Sequence, residues 1–71
     1  MEVLNFKDKE LKEAVSEFEN LYEEHLESNE SADYIVYTNS YEVQGALLEL
    51  IDNLEIEHSI ELGGKVIVTL G

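Results

Sequence analysis

Seventeen carboxylates, two histidines and four tyrosines are the side chains of this chain with chemistry to offer, set against four lysines and no arginine or cysteine. A metal site needs convergent ligands held by supporting partners. On a helix, His25 has Leu21, Tyr22, Ser28 and Asn29 three and four residues away, none of them a carboxylate. His58 stands between Ile56 and Ile60, in a segment that alternates apolar and polar residues. Both read as core histidines with hydrogen-bonded rings, and no metal or other cofactor is expected. Carboxylates are too numerous for any pair to stand out as acid and base. A glycosidase needs two across a substrate cleft, and 71 residues leave little room for one. Gly63-Gly64-Lys65 has the spacing of a hairpin turn, not of a phosphate-binding loop. There is no Asp-x-Asp-x-Asp-Gly calcium loop and no serine in a nucleophile-elbow setting. The expectation is a protein that binds rather than one that catalyses.

Charge indicates what it binds. The net charge is −13, and residues 13–64 carry fourteen acids without one lysine or arginine. Such a field repels nucleic acid and anionic membranes and attracts basic surfaces. Glu outnumbers Asp fourteen to three, which argues against salt adaptation as the cause. No apolar run is long enough for a membrane span or a signal-peptide core, so a cytoplasmic protein is expected.

Two groups of residues form the candidate binding surface. Glu10, Glu13, Glu17, Glu24 and Glu27 fall on the side of a first helix opposite its apolar stripe, with Glu19 and Glu23 flanking. Glu55, Glu57 and Glu61 share the outer face of a strand. Tyr34, Tyr37 and Tyr41 cluster within eight residues, and Tyr37 and Tyr41 are candidate anchors for a partner. The first helix has its lysines early and its glutamates late, the reverse of what the helix dipole favours. Charge placed against stability suggests charge kept for a partner.

The elements that must position these residues follow from periodicity. From about residue 7 to 28, Leu11, Val15, Phe18, Tyr22 and His25 recur at four and three, widened by Ala14, Leu21 and Leu26. That predicts a helix about 33 Å long, capped by Asn5 or Asp8. Residues 1–6 fit a short strand or a loose lead-in. Tyr34–Thr38 is β-branched and aromatic, a strand. Asn39 with Glu42 forms a capping-box pattern for a second helix, about 40–53, with Val43, Ala46, Leu47, Leu50, Ile51 and Leu54 on one face. Gly45 inside it suggests close packing against the sheet. Residues 54–62 and 65–70 read as a hairpin closed at Gly63-Gly64. In this reading Ile56, His58, Ile60 and Leu62 face inward, and Val66, Val68 and Leu70 lie opposite Ile67.

The predicted architecture is a single acidic α+β domain over 1–71. It is a two-layer sandwich in the order helix-strand-helix-strand-strand, with a long N-terminal helix. Apolar residues on both faces of Tyr34–Tyr37, together with Ile67, suggest a second covered sheet face, which a homodimer would supply. In size and charge the chain resembles phage-encoded inhibitors of host-defence nucleases, anti-CRISPR proteins among them, with no shared motif. That resemblance implies an acidic inhibitor or nucleic-acid mimic whose partner is a basic, nucleic-acid-binding protein. The competing expectation is a small homodimeric regulator or adaptor that binds through an apolar, tyrosine-containing surface.

Overall fold

Residues 1–71 are all described by a computed structural model. Six elements follow one another: β1 (Glu2–Asn5), α1 (Leu11–Ser28), β2 (Ala32–Tyr37), α2 (Tyr41–Asn53), β3 (Glu57–Glu61) and β4 (Lys65–Leu70). The chain is α+β, with two helices and a four-stranded mixed sheet in the order β1-β2-β4-β3. β1 runs parallel to β2, and β4 runs antiparallel to both β2 and β3. No helix is long and apolar enough to cross a membrane.

The N-terminal segment is a strand. Val3 pairs with Ile35 and Leu4 with Val36, and the Phe6 amide extends the ladder to the Tyr37 carbonyl at 2.7 Å. Phe6 is buried. The element order is therefore strand-helix-strand-helix-strand-strand. β2 and β3 are parallel, as expected of a β-α-β unit, but β4 lies between them.

The first helix begins four residues later than its periodicity implies and spans about 27 Å. Asn5 and Asp8 do not cap it. Asp8 adopts a left-handed conformation (φ 60°) and is held across 31 residues by Asn39. The Asp8 amide donates to Asn39 Oδ1 at 3.0 Å, and Asn39 Nδ2 donates to Asp8 Oδ1 at 2.9 Å. With Asn39 so engaged, Ser40 caps α2, its Oγ accepting from the Val43 amide at 3.3 Å.

The core lies between the helices and one sheet face. Ala14 and Phe18 of α1 and Val43, Leu47 and Ile51 of α2 meet Tyr34, Val36, Val66, Val68 and Leu70. Phe18, Leu47, Ile51, Val68 and Leu70 are the largest fully buried side chains. Burying each contributes about 1.5–3 kcal/mol. The inward face of β3 outruns this cover: Ile60 is 62% exposed, and Leu62 is 94% exposed in the turn. Leu26, placed on the apolar stripe by its spacing, is 56% exposed.

Two turns correct the expected boundaries. The hairpin loop holds Leu62, Gly63 and Gly64, because Glu61 already pairs with Lys65. Gly64 has φ +74°, and a Cβ there would meet the Thr38 carbonyl oxygen at 2.6 Å, so only glycine fits. Residues 54–56 belong to the end of α2. The Ile56 amide donates to the Ile51 carbonyl and the Glu55 amide to the Asp52 carbonyl, at 3.0 and 3.1 Å. This is a Schellman cap, with Glu55 in the left-handed position that glycine usually fills. Gly45 is exposed, and a Cβ there would meet nothing within 4 Å, so close packing does not account for it.

Candidate functional site, an acidic pole at the helix C-termini

Strand direction decides which charges gather. α1 joins the C-terminal end of β1 to the start of β2, and α2 joins the C-terminal end of β2 to the start of β3. These three strands are parallel to one another. Both helices therefore run against them and finish at the same end of the molecule. At that end lie Glu23, Glu24, Glu27 and Glu30 from α1 and its following loop, and Asp52, Glu55 and Glu57 from α2 and β3. Glu2 and Asp33, near the starts of β1 and β2, complete the group. No lysine lies among them. Lys7, Lys9 and Lys12 precede or begin α1, and Lys65 pairs with Tyr37, so all four lysines occupy the opposite end.

All seventeen carboxylates are solvent-exposed. Each helix C-terminus adds about half a negative charge of its own to the acidic pole. Between the two helix ends lies an open cleft of about 380 Å³ with Tyr22, Leu26, Leu54 and Ile56 on its apolar side and Glu55 and Glu57 on its rim.

A hydrogen-bonded pair fixes the loop that carries part of the pole. His25 Nδ1–H donates to the Glu30 carbonyl at 2.9 Å, since a carbonyl can only accept. That leaves Nε2 to accept from the Tyr34 hydroxyl at 2.6 Å, with the rings edge-on at 5.4 Å. Burial, with Glu2 and Glu24 nearby, pushes the Tyr34 hydroxyl above its ordinary range. His58 Nδ1–H donates to the Ile56 carbonyl at 3.0 Å. Both rings are thus hydrogen-bonded, as their sequence settings imply, but both are half-buried at the edge of the core rather than within it.

The residues singled out from sequence do not form one surface. Glu24, Glu27, Glu55 and Glu57 lie at the same end of the molecule, Glu57 on the sheet face away from the helices. Glu13 and Glu17 lie in the first half of α1 and share Lys9, at 3.3 and 2.7 Å. The hydrogen bond from Lys9 to Glu17 is the main reason its ammonium group is held above its usual pKa. Glu10 is the N-cap residue of α1 at the lysine end, and Glu61 lies across the sheet from Lys65. Glu55 is in the α2 cap rather than on the strand with Glu57 and Glu61. These last two project from the sheet face opposite the helices, so they do not continue the outer face of α1.

The tyrosine cluster also divides. Tyr34 is buried beneath the helices, while Tyr41 is 91% exposed. Tyr37 and Tyr41 line a shallow cleft of about 400 Å³ with Leu62 at the lysine end. Glu2, Glu30, Asp33, Asp52 and the cleft between the helix ends are not singled out by sequence. The available signal was that both helices end in acids, which matters only once parallel strands bring those ends together. No family model matches the chain, and neither curated proteins nor solved structures provide a match.

Proposed function

We propose that this is a non-catalytic acidic protein that occupies the basic site of a nucleic-acid-binding protein, with the acidic pole as its contact surface. The observation that carries this reading is the gathering of nine carboxylates and two helix C-termini at one end, with every lysine at the other. Folding stability does not favour that arrangement. An acid in the last turn of a helix costs about 0.3–1 kcal/mol at low ionic strength, and neighbouring acids repel one another.

From Glu19 to Glu27, the second half of α1 carries four glutamates over about 12 Å. That is one negative charge per roughly 4 Å of axis, close to the 3.4 Å per charge of a single DNA strand. The charge steers a basic partner to the pole, and Leu26 and Tyr22 in the cleft supply apolar contact once it arrives. Direct binding to nucleic acid or to an anionic membrane is opposed by the same field. The partner class this suits is a nucleic-acid-handling protein such as a host-defence nuclease, met in the cytoplasm of a bacterial or phage-infected cell.

The test is capture from a host lysate on immobilised protein, elution by a salt gradient, and competition of the captured protein with its own DNA or RNA. Competition that weakens steeply with salt supports the proposal. Binding insensitive to salt, or binding without competition, overturns it.

A further inference from the structure

The helices cover one sheet face only. On the other face, Val3, Ile35 and Ile67 stand side by side in register across β1, β2 and β4, with Ser59 completing the row on β3. Val3 is 60% exposed, and Leu62 extends the apolar surface beside Ile35 and Ile67 around a shallow cleft of about 310 Å³. The charge of this face differs from that of the rest of the molecule. It carries Asp33, Glu57 and Glu61 against Lys65, whereas the chain as a whole carries −13. Of the net −13 this face carries only −2, so a like-charged copy meets less repulsion here than on the helix side.

We infer that this open sheet face binds a second copy of the chain, giving a four-layer helix-sheet-sheet-helix homodimer. A two-fold axis in the interface and perpendicular to the strands superposes each apolar row on its own counterpart, since the same patch serves both copies. It also sets the acidic pole of one copy beside the lysine end of the other. Lys65 then lies over the partner's Thr69, offset by one strand spacing of about 4.8 Å from the partner's Asp33 and Glu57 across the roughly 10 Å between packed sheets, within reach of a lysine side chain. The one like-charge match, Glu61 with the partner's Glu57, falls on the edge strand in solvent. An axis parallel to the strands would put the two poles together and is disfavoured. Four strands by five residues make a flat footprint of about 300 Å² per copy. That is well below the roughly 800 Å² per partner of a standard interface, so association is weak, reversible and concentration-dependent.

The experiment is sedimentation equilibrium of the full chain from 10 µM to 1 mM at low and high salt, with circular dichroism on every variant. The weight-average mass rises from 8.1 kDa toward twice that value with concentration, and rises further at high salt, which screens the net repulsion. Ile67→Thr keeps a β-branched residue on the strand and weakens association about tenfold or more, because both copies lose the contact. Lys65→Glu, at an exposed position, weakens it at low salt with the fold intact. A mass of 8.1 kDa at every concentration and salt, or a dimer indifferent to both substitutions, overturns the inference. Glu24→Gln with Glu27→Gln leaves dimerisation unchanged or stronger, so a failure here is separable from a failure of the acidic-pole proposal.

Discussion

Replacing Glu55 with glycine should make the protein more stable, and the structure sets the size of the gain. Glu55 holds φ 56° at the C′ position of the Schellman cap that ends α2. A left-handed backbone costs an ordinary residue about 1–2 kcal/mol, because Cβ crowds the neighbouring carbonyl oxygen. Glycine avoids that crowding but loses more freedom on folding, which offsets about 0.5–1 kcal/mol. The glutamate also sits at the negative end of the α2 dipole, worth another 0.3–1 kcal/mol or so. The net expectation for Glu55→Gly is about 1 kcal/mol of added stability. For a chain of this size that is a rise in Tm of roughly 4–8 °C. Glu55→Gln removes the charge and keeps the Cβ, so it should recover only the electrostatic part and lose that gain in high salt. The assay is thermal and urea denaturation followed by far-ultraviolet circular dichroism at two salt concentrations. If Glu55→Gly is no more stable than the parent, the left-handed cap is not strained as described. If Glu55→Gln alone captures the whole gain, the cost is electrostatic and the backbone argument fails.

Further outcomes follow from the same geometry. Gly45→Ala should stabilise by about 0.5–1 kcal/mol, since the site is helical, exposed and open around a Cβ; a loss in urea denaturation would contradict this. Replacing Glu24 and Glu27 with Lys should raise Tm at low salt by the equivalent of about 0.3–1 kcal/mol per site. A less stable double variant would mean those glutamates have structural partners. The Tyr34 hydroxyl is raised by burial, so its contribution is complete below its unfolded value near pH 10 and is lost as pH climbs through the higher folded value. Tyr34→Phe should flatten that alkaline loss while costing about 1 kcal/mol at neutral pH for the bond to His25; an unchanged alkaline profile would refute it.

Local pattern in the sequence located both helices, the central strand and the hairpin, because Leu11, Phe18, Leu47 and Ile51 recur with helical spacing and Val66, Val68 and Leu70 alternate. It could not decide β1, whose four residues carry no alternation and whose partner lies some thirty residues away. It overextended α1 because Lys7–Glu10 is helix-compatible in composition, whereas Asp8 is turned left-handed by its long-range pairing with Asn39. The cap of α2 moved by one residue for the same reason. Strand β3 was read too long because Leu54, Ile56 and Leu62 keep the alternation through a helix cap and a turn. The candidate site was legible in type but not in place. Its glutamates were evident, but only the parallel course of β1, β2 and β3 unites Glu24 and Glu27 with Glu55 and Glu57. Ion pairing with Lys9, which sets Glu13 and Glu17 apart, depends on the turn before α1.

The central claim is that the acidic pole, and not net charge alone, makes the contact. The most direct measurement compares two fourfold variants in competition with DNA for the captured partner. One carries Gln at Glu24, Glu27, Glu55 and Glu57, and the other carries Gln at Glu10, Glu13, Glu17 and Glu61. Each removes four negative charges, taking the chain from −13 to −9, and each should retain the parent circular dichroism spectrum. The account predicts that the first variant loses competition and the second keeps most of it. Equal loss in both would show that charge acts without regard to place, and retention by the first variant alone would put the contact at the lysine end.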